Sequence, residues 1–441
     1  MSRRRQRPSG ILSPQLLRLD AAVKSTGRDA ARAFWARMER QGTPLIEKCR
    51  GSRHNFWVTF LWRGERGLRT VGLRSLLAGN VAAESELTRL PTTDVWFRTY
   101  LARDDFRDRY QFAVNEPTRP AKDPAEEARR MKRWLPDPLN PKVIRYDVDP
   151  KLAKDLPGDF RPVRSLVELP RAPHHSELSP RRGAAAGRLE EHLFRSRVLK
   201  DERKLWVHVP AGVEPGLPHL RVALFFDGFV YAHVMAAPTI IDNLVASRRI
   251  PPVLSVFIGW PMRGRSPELC FPSPAFGRFL VNELLPWVER RFGVRLAADR
   301  TMLAGASCGG LSALHWAVEY PEHFRLVLSQ SCSFQSPDFG QFPIAPGHNE
   351  EPSRLIRMAM GRPRVPLTVW MEAGSLEGNY VLPGGVTLLA ANRHMRDVLK
   401  LKGARVLYRE FNGGHAVECW REDLVDGLVD LLGTSKAGRR S

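Results

Sequence analysis

Gly305-Ala306-Ser307-Cys308-Gly309-Gly310 carries the strongest chemical signal in the chain, a G-x-S-x-G spacing. Before it, Arg300-Thr301-Met302-Leu303-Ala304 has the makings of a short buried strand. Behind it, Leu311 to Val318 form an apolar helical run that stops short of Pro321. A serine on such a strand-to-helix turn is held in strained backbone geometry, with its hydroxyl raised above the sheet edge. Small neighbours relieve the crowding. The helix start behind it favours the negative charge that develops when a serine attacks a carbonyl. The chemistry is acyl transfer, with Ser307 as nucleophile.

A serine nucleophile needs a base, and the base needs an orienting acid. On an α/β-hydrolase sheet they follow in the order serine, acid, histidine. His415 meets that order in Asn412-Gly413-Gly414-His415, just past an apolar segment. Glu372-Ala373-Gly374-Ser375-Leu376-Glu377 offers two acids after a predicted strand ending at Met371. Glu377 is the first candidate for the histidine's partner. Glu372, nearer the strand end, is the alternative, and a serine–histidine dyad is the third. The oxyanion calls for preorganised N–H donors. Cys308, the residue after the nucleophile, supplies one. The turn Asp227-Gly228-Phe229 supplies another, at Gly228, where a glycine lets the backbone approach the substrate. The Cys308 side chain itself reads as a small packed group.

Arg265 and Glu268 lie in Arg265-Ser266-Pro267-Glu268-Leu269, after a predicted strand, on the side where ligands enter such a sheet. Arg265 can pair with an anionic substrate group, or the two can pair with each other. Phe229 and Tyr380 complete the substrate-binding candidates. Trp260 and Trp370 also offer aromatic faces, with core packing the plainer role for Trp370.

These groups need a scaffold. From about residue 195 apolar strands alternate with helices. Strands are expected over 204–209, 221–226, 253–258, 326–329, 367–371 and 406–411, and helices over 276–292 and 386–402, with His415 opening the last. That pattern describes a mostly parallel sheet covered on both faces, the α/β-hydrolase arrangement, over residues 193–435. Residues 29–150 differ. After a short amphipathic helix over 30–41, strands at 56–63, 69–74, 95–101 and 109–114 suggest an immunoglobulin-like β-sandwich. Residues 1–28 read as a basic flexible leader. Residues 151–192, rich in proline, charge and small side chains, read as a linker.

At 441 residues two domains are expected. No apolar run is long enough to cross a bilayer, and the basic start lacks the apolar core of a secretory signal. The five cysteines are scattered, with no C-x-x-C pair. They suggest reduced thiols in a cytoplasm, and neither a disulfide framework nor a structural zinc site. The formal charge of +21 attracts anions. It is spread along the chain without a basic helix or an aromatic RNA-binding signature, so an anionic small substrate is expected before nucleic acid. No cofactor or metal-ligand cluster is visible.

The chain resembles the enterochelin esterases, whose C-terminal half is an esterase D-like α/β-hydrolase. In that half the matching words include Phe226-Asp227-Gly228, Arg265-Ser266-Pro267-Glu268-Leu269, Gly305 to Leu311, Leu328-Ser329-Gln330-Ser331, Glu372-Ala373-Gly374, Gly413-Gly414-His415 and Cys419-Trp420-Arg421. The N-terminal words are Phe34-Trp35, Val58 to Arg63, Asp94 to Tyr100 and Asp137-Pro138-Leu139-Asn140-Pro141. The resemblance implies cytoplasmic hydrolysis of the ester bonds of a ferric catecholate siderophore, with release of iron. It maps the nucleophile onto Ser307, the base onto His415 and the acid onto Glu377. Cys308 departs from the family's usual aromatic residue, Cys332 from a glycine, and Ala416 from an aspartate. A general esterase or acyltransferase for aromatic acyl groups is the nearest alternative. A non-catalytic carbohydrate-binding or scaffold protein is a more distant one.

Overall fold

The structure is a computed structural model. It describes residues 11–79, 82–117, 122–145, 163–183, 185–213, 220–261, 267–270, 272–334, 353–379 and 386–433. The chain divides into two compact units, Met1–Tyr146 with Gly158–Ala172, and Asp147–Pro157 with Pro173–Ser441.

The first unit opens with two helices, α1 (Pro14–Thr26) and α2 (Arg28–Gln41). Ser13 caps α1 by accepting from the Leu16 N–H, and a proline follows at the first helical position. Leu16 and Leu19 then bury against Phe34, Trp35 and Met38 of α2. The leader expected over residues 1–28 is therefore a folded helix from Pro14 onward. Its weak amphipathic pattern hid two leucines on one face. Residues 1–10 lie outside the described residues.

Eight strands follow: β1 (Leu45–Lys48), β2 (Asn55–Arg63), β3 (Val71–Arg74), β4 (Thr88–Arg89), β5 (Val95–Arg103), β6 (Arg107–Val114), β7 (Val143–Arg145) and β8 (Val163–Glu168). Two short helices, α3 (Ala82–Ser85) and α4 (Pro124–Met131), are set among them. The strands form two antiparallel four-stranded sheets, ordered β1-β2-β5-β4 and β3-β6-β8-β7. The sheets meet through aromatic rings: Phe60 lies 4.7 Å from Tyr110, and Trp62 lies 5.0 Å from Phe112, centroid to centroid. Tyr110 is buried, and its hydroxyl donates to Asp137 at 2.7 Å, which satisfies the buried polar group.

The second unit holds an eight-stranded sheet of β9 (Arg188–Ser196), β10 (Asp201–Val209), β11 (Arg221–Phe225), β12 (Val253–Pro261), β13 (Thr301–Ala306), β14 (Leu326–Gln330), β15 (Thr368–Gly374) and β16 (Arg405–Phe411). Its order is β16-β15-β14-β13-β11-β12-β10-β9. All neighbours from β16 to β12 pair in parallel, and β10 and β9 are antiparallel. The helices are α5 (Ala237–Ala246), α6 (Pro274–Arg278), α7 (Leu285–Phe292), α8 (Cys308–Glu319), α9 (Arg354–Gly361), α10 (Leu388–Leu401) and α11 (Val417–Leu432). Every residue of β13 is buried, and so are eleven of the twelve in α8. That is why this stretch reads as almost unbroken hydrophobic sequence.

Two parts of the expected 151–192 linker belong to the sheets. β8 pairs with β6 and β7, and β9 begins at Arg188 and pairs along its whole length with β10. β9 is an edge strand with half of its side chains exposed, which leaves it only a faint apolar signature. Among the described residues no helix is long and apolar enough to cross a membrane.

Candidate active site

The elbow follows from local sterics. Ser307 sits at φ 54°, ψ −121°. Its N–H donates to the Gln330 carbonyl at 2.8 Å, locking the turn to β14. At Gly305 a Cβ would lie 2.3 Å from the Gly309 carbonyl carbon, so the chain can fold back on itself only where both positions are bare. Asp227 (φ 51°) and Ser331 (φ 45°) also occupy the left-handed region. These three non-glycine residues end β11, β13 and β14 at their C-terminal edge. Strain of that kind persists where surrounding structure holds it in place, commonly at functional sites. The sequence signalled it at Ser307 alone.

Three side chains from three strand ends converge on the elbow. His415 Nε2 lies 3.0 Å from Ser307 Oγ. Its Nδ1 lies 3.0 Å from Glu377 Oε1. The other carboxylate oxygen of Glu377 accepts the Gly374 N–H at 3.0 Å, which fixes the carboxylate plane. Glu377 is buried while the His415 ring remains partly exposed. With Nδ1–H donating to the carboxylate, Nε2 is left to accept the Ser307 hydroxyl proton. The His415 ring also packs edge-to-face on Trp420 at 4.8 Å. Trp420 donates its Nε1–H to Ser331 Oγ at 2.8 Å, and its carbonyl accepts from Gln330. Ser333, absent from the sequence-derived list, places its hydroxyl 3.2 Å from Ser307 Oγ.

Glu372 takes no part in this relay. It is fully buried, accepts from Gln330 Nε2 at 2.6 Å, and has the Asp423 carboxyl group as its electrostatic neighbour. Burial, with the Asp423 charge beside it, pushes its carboxyl well above the ordinary 4.5. Asp423 is also raised by burial, while Arg409 at 3.7 Å works against that rise. A raised folded-state value favours the fold at low pH, and that contribution is lost as pH rises from 4.5 toward the raised value. Glu372→Gln supplies a permanent N–H to Asp423 and removes the titration. Its melting temperature is expected to fall less than that of wild type between pH 5 and pH 9, and equal slopes in a paired pH series would refute the assignment.

The oxyanion candidates are adjacent. A Cβ on Gly309 would lie 3.2 Å from Asp227 Oδ2 and 3.5 Å from the Phe226 Cβ, so the elbow rests against the turn after β11. Cys308 is the first residue of α8, where backbone N–H groups lack helical partners. Gly228 is tight for a different reason from the one expected. A Cβ there would lie 2.4 Å from the Phe257 carbonyl carbon, so its backbone presses on β12. Asp227 accepts Trp260 Nε1–H at 2.6 Å, which fixes that ring at the end of β12.

The binding candidates fare differently. Phe229 is buried against Trp206 and His233, at 5.8 and 5.0 Å, so its ring is a packing element and not a free face for substrate. Glu268 accepts from Arg203 Nη1 at 2.8 Å, and Arg203 is fully buried and also paired with Asp201. The Glu268 carboxylate is thus engaged by a buried guanidinium that the strand pattern of β10 did not reveal. Arg265 and Tyr380 lie outside the described residues. Trp370 is fully buried, with its Nε1–H donated to Asp430. Among the described residues no group of three or more His, Cys, Asp or Glu is placed to hold a metal ion.

The cysteine expectation is corrected. Cys270 and Cys308 form a disulfide, of which Cys49, Cys332 and Cys419 are not part. Their separation of 38 residues gave no local cue. Both lie in sequence beyond the C-terminal ends of β12 and β13, the two strands that flank β11.

A mostly parallel sheet with a strained serine elbow, and a histidine within hydrogen-bond distance of it, defines an α/β hydrolase of the carboxylic ester hydrolase class. The Esterase family model matches residues 196–431, and the model of the enterochelin esterase N-terminal region matches 57–178. The chain belongs to the enterochelin esterase family. The iron(III) enterobactin esterase of Dickeya dadantii is 27% identical, covering 93% of this chain and 95% of its own length. The iron(III) salmochelin esterase of Escherichia coli is 28% identical over 91% of this chain and 93% of its own. Among solved structures, the ferric enterobactin esterase of Salmonella typhimurium superposes with a TM-score of 0.69 at 25% identity, covering 91% of this chain and 98% of that one. The Shigella flexneri enterobactin esterase, solved in the presence of 2,3-dihydroxy-N-benzoyl-glycine, gives 0.64 at 25% identity over 88% and 96%.

Proposed function

We propose that this protein hydrolyses the ester bonds of a ferric catecholate siderophore of the enterobactin type, with Ser307 as nucleophile, His415 as general base and Glu377 as its orienting acid. The carrying observation is the pair of 3.0 Å hydrogen bonds linking Ser307, His415 and Glu377 at one sheet edge. The substrate class is carried over from relatives that match nearly the whole chain, N-terminal unit included.

Ser307 Oγ attacks the ester carbonyl carbon as its proton passes to His415 Nε2. The carbonyl oxygen becomes an oxyanion and accepts from the Cys308 and Gly228 N–H groups. The imidazolium, steadied by the Glu377 carboxylate, returns the proton to the departing alkoxide as the C–O bond breaks. A water then repeats the sequence on the acyl-Ser307 ester and releases the acid. Iron enters and leaves with the siderophore. A ferric tris-catecholate is anionic, which suits a chain of formal charge +21. The compartment the family resemblance implies is the cytoplasm, where cellular dithiols meet the Cys270–Cys308 disulfide.

Ferric and iron-free enterobactin incubated with the enzyme, then separated by chromatography, test the assignment. Catecholoyl-serine fragments are the expected products. Turnover of aryl esters without any cleavage of enterobactin would leave an esterase and remove the siderophore.

A further inference from the structure

One end of the Cys270–Cys308 disulfide is the residue that follows the nucleophile, and whose N–H is assigned to the oxyanion. The other end is anchored elsewhere. Cys270 closes the single helical turn Pro267–Leu269, and Glu268 in that turn is paired with Arg203. Arg203 is immobilised in turn. It is fully buried, held by Asp201, and its guanidinium carbon lies 5.6 and 5.0 Å from the centroids of Phe276 and Phe279. The covalent bond therefore ties the first residue of α8 to a buried ion pair on β10. Neither the acyl-transfer chemistry nor the family's motif requires such a bond.

We propose that this disulfide is a reducible latch on the oxyanion hole: closed, it fixes the Cys308 N–H for catalysis, and opened by a dithiol reductant, it slows ester hydrolysis. The inference rests on the serine-esterase reading of Ser307. Cys308 is buried and Cys270 is half-buried, so a thiolate of the reductant attacks the Cys270 sulfur. The S–S bond breaks, Cys308 leaves as a thiolate, and Cys270 is held in a mixed disulfide. The second thiol of the reductant attacks that bond, releasing Cys270 and closing the reductant's own disulfide. Two electrons pass from reductant to protein, and the displaced thiolates take up protons from the reductant's thiols or from water.

Opening the latch acts on the reaction in two ways. The Cys308 N–H loses its tether to the Arg203 ion pair. The released sulfur also sits at the start of α8, a twelve-residue helix whose N-terminus favours a thiolate. A negative sulfur beside the forming oxyanion opposes the charge that the hole is built to stabilise. Both effects lower kcat more than they raise KM, since they bear on the transition state.

The test uses the full-length enzyme, purified without reductant, with an activated aryl ester as probe. Denatured protein should titrate three thiols before dithiol treatment and five after, matching five cysteines of which one pair is disulfide-bonded. On reduction kcat should fall about 10²-fold, the effect of losing one oxyanion donor, and return on reoxidation, with the melting transition still cooperative. Cys270→Ala retains the Cys308 thiol, so its kcat should fall further as pH rises through that thiol's titration. The Cys270→Ala/Cys308→Ala enzyme should lack that pH-dependent limb. Five thiols in the untreated protein, or equal kcat in both redox states, would overturn the latch. A wild type inert toward the ester in both states would instead remove the esterase reading, and the latch with it.

Discussion

Alanine at position 307 is expected to lower kcat on enterobactin by roughly 10⁵- to 10⁶-fold. The nucleophile is lost, and no other side chain holds its place. Ser333, whose hydroxyl lies 3.2 Å from Ser307 Oγ, is 6% exposed, and the 3.0 Å contact of His415 Nε2 is to Ser307. Residual turnover would be attack by water in a site that still binds and polarises the ester. Substrate affinity should change little, because the deleted oxygen acts mainly in the transition state. Fluorescence titration with the ferric siderophore, beside single-turnover kinetics, separates the two quantities. A variant that retained even a tenth of wild-type kcat would remove Ser307 from the mechanism.

Glu377→Gln should cost about 10⁴-fold in kcat, a loss out of proportion to the exchange of one oxygen for an NH₂ group. The reason lies in the Gly374 N–H, which donates to Glu377 Oε2. An amide placed there must turn its carbonyl toward Gly374, and its NH₂ then faces His415 Nδ1. That nitrogen becomes the acceptor, the proton moves to Nε2, and the base can no longer take the Ser307 proton. Glu372→Gln, five residues earlier in the chain, should leave kcat near the wild-type value, because its side chain reaches Gln330 and Asp423 and not His415. Steady-state kinetics on both variants distinguish the two glutamates. Equal losses, or a silent Glu377→Gln, would rule out this assignment of the acid.

The Ser307–His415 pair was legible from sequence because the elbow and the glycine-rich loop are local motifs. Strand, turn and helix all leave their mark within a dozen residues. Glu377 was harder to single out, since Glu372 lies near the end of the same strand that Glu377 follows. Only the fold shows that Glu372, still within β15, is directed toward Gln330 and Asp423, while the helical turn Ser375–Asn379 brings Glu377 round to His415. The protein partners of Phe229 and Glu268 were hidden for another reason. An aromatic ring or a carboxylate near a strand end looks the same in sequence whether it meets substrate or a buried partner. Arg203 was invisible because a lone arginine in a strand reads as an exposed residue until its two carboxylates are located. α1 and β9 were missed because a weakly amphipathic helix and a half-exposed edge strand have little hydrophobic periodicity.

The place of β16 in the sheet has a consequence for how this enzyme fails. Among the described residues β16 pairs on one side only, with β15, and its side chains are half-exposed or exposed throughout. The loop that carries His415 leaves from its end. Edge elements with few buried contacts open in sub-global fluctuations at a lower free energy than the central strands. Ser307, by contrast, hangs from β13, which is enclosed by β11 and β14. On warming or in mild denaturant the two halves of the proton relay therefore part company while most of the sheet is still intact. Catalytic competence decays ahead of the cooperative melt, and hydrogen exchange at β16 becomes the clock of inactivation.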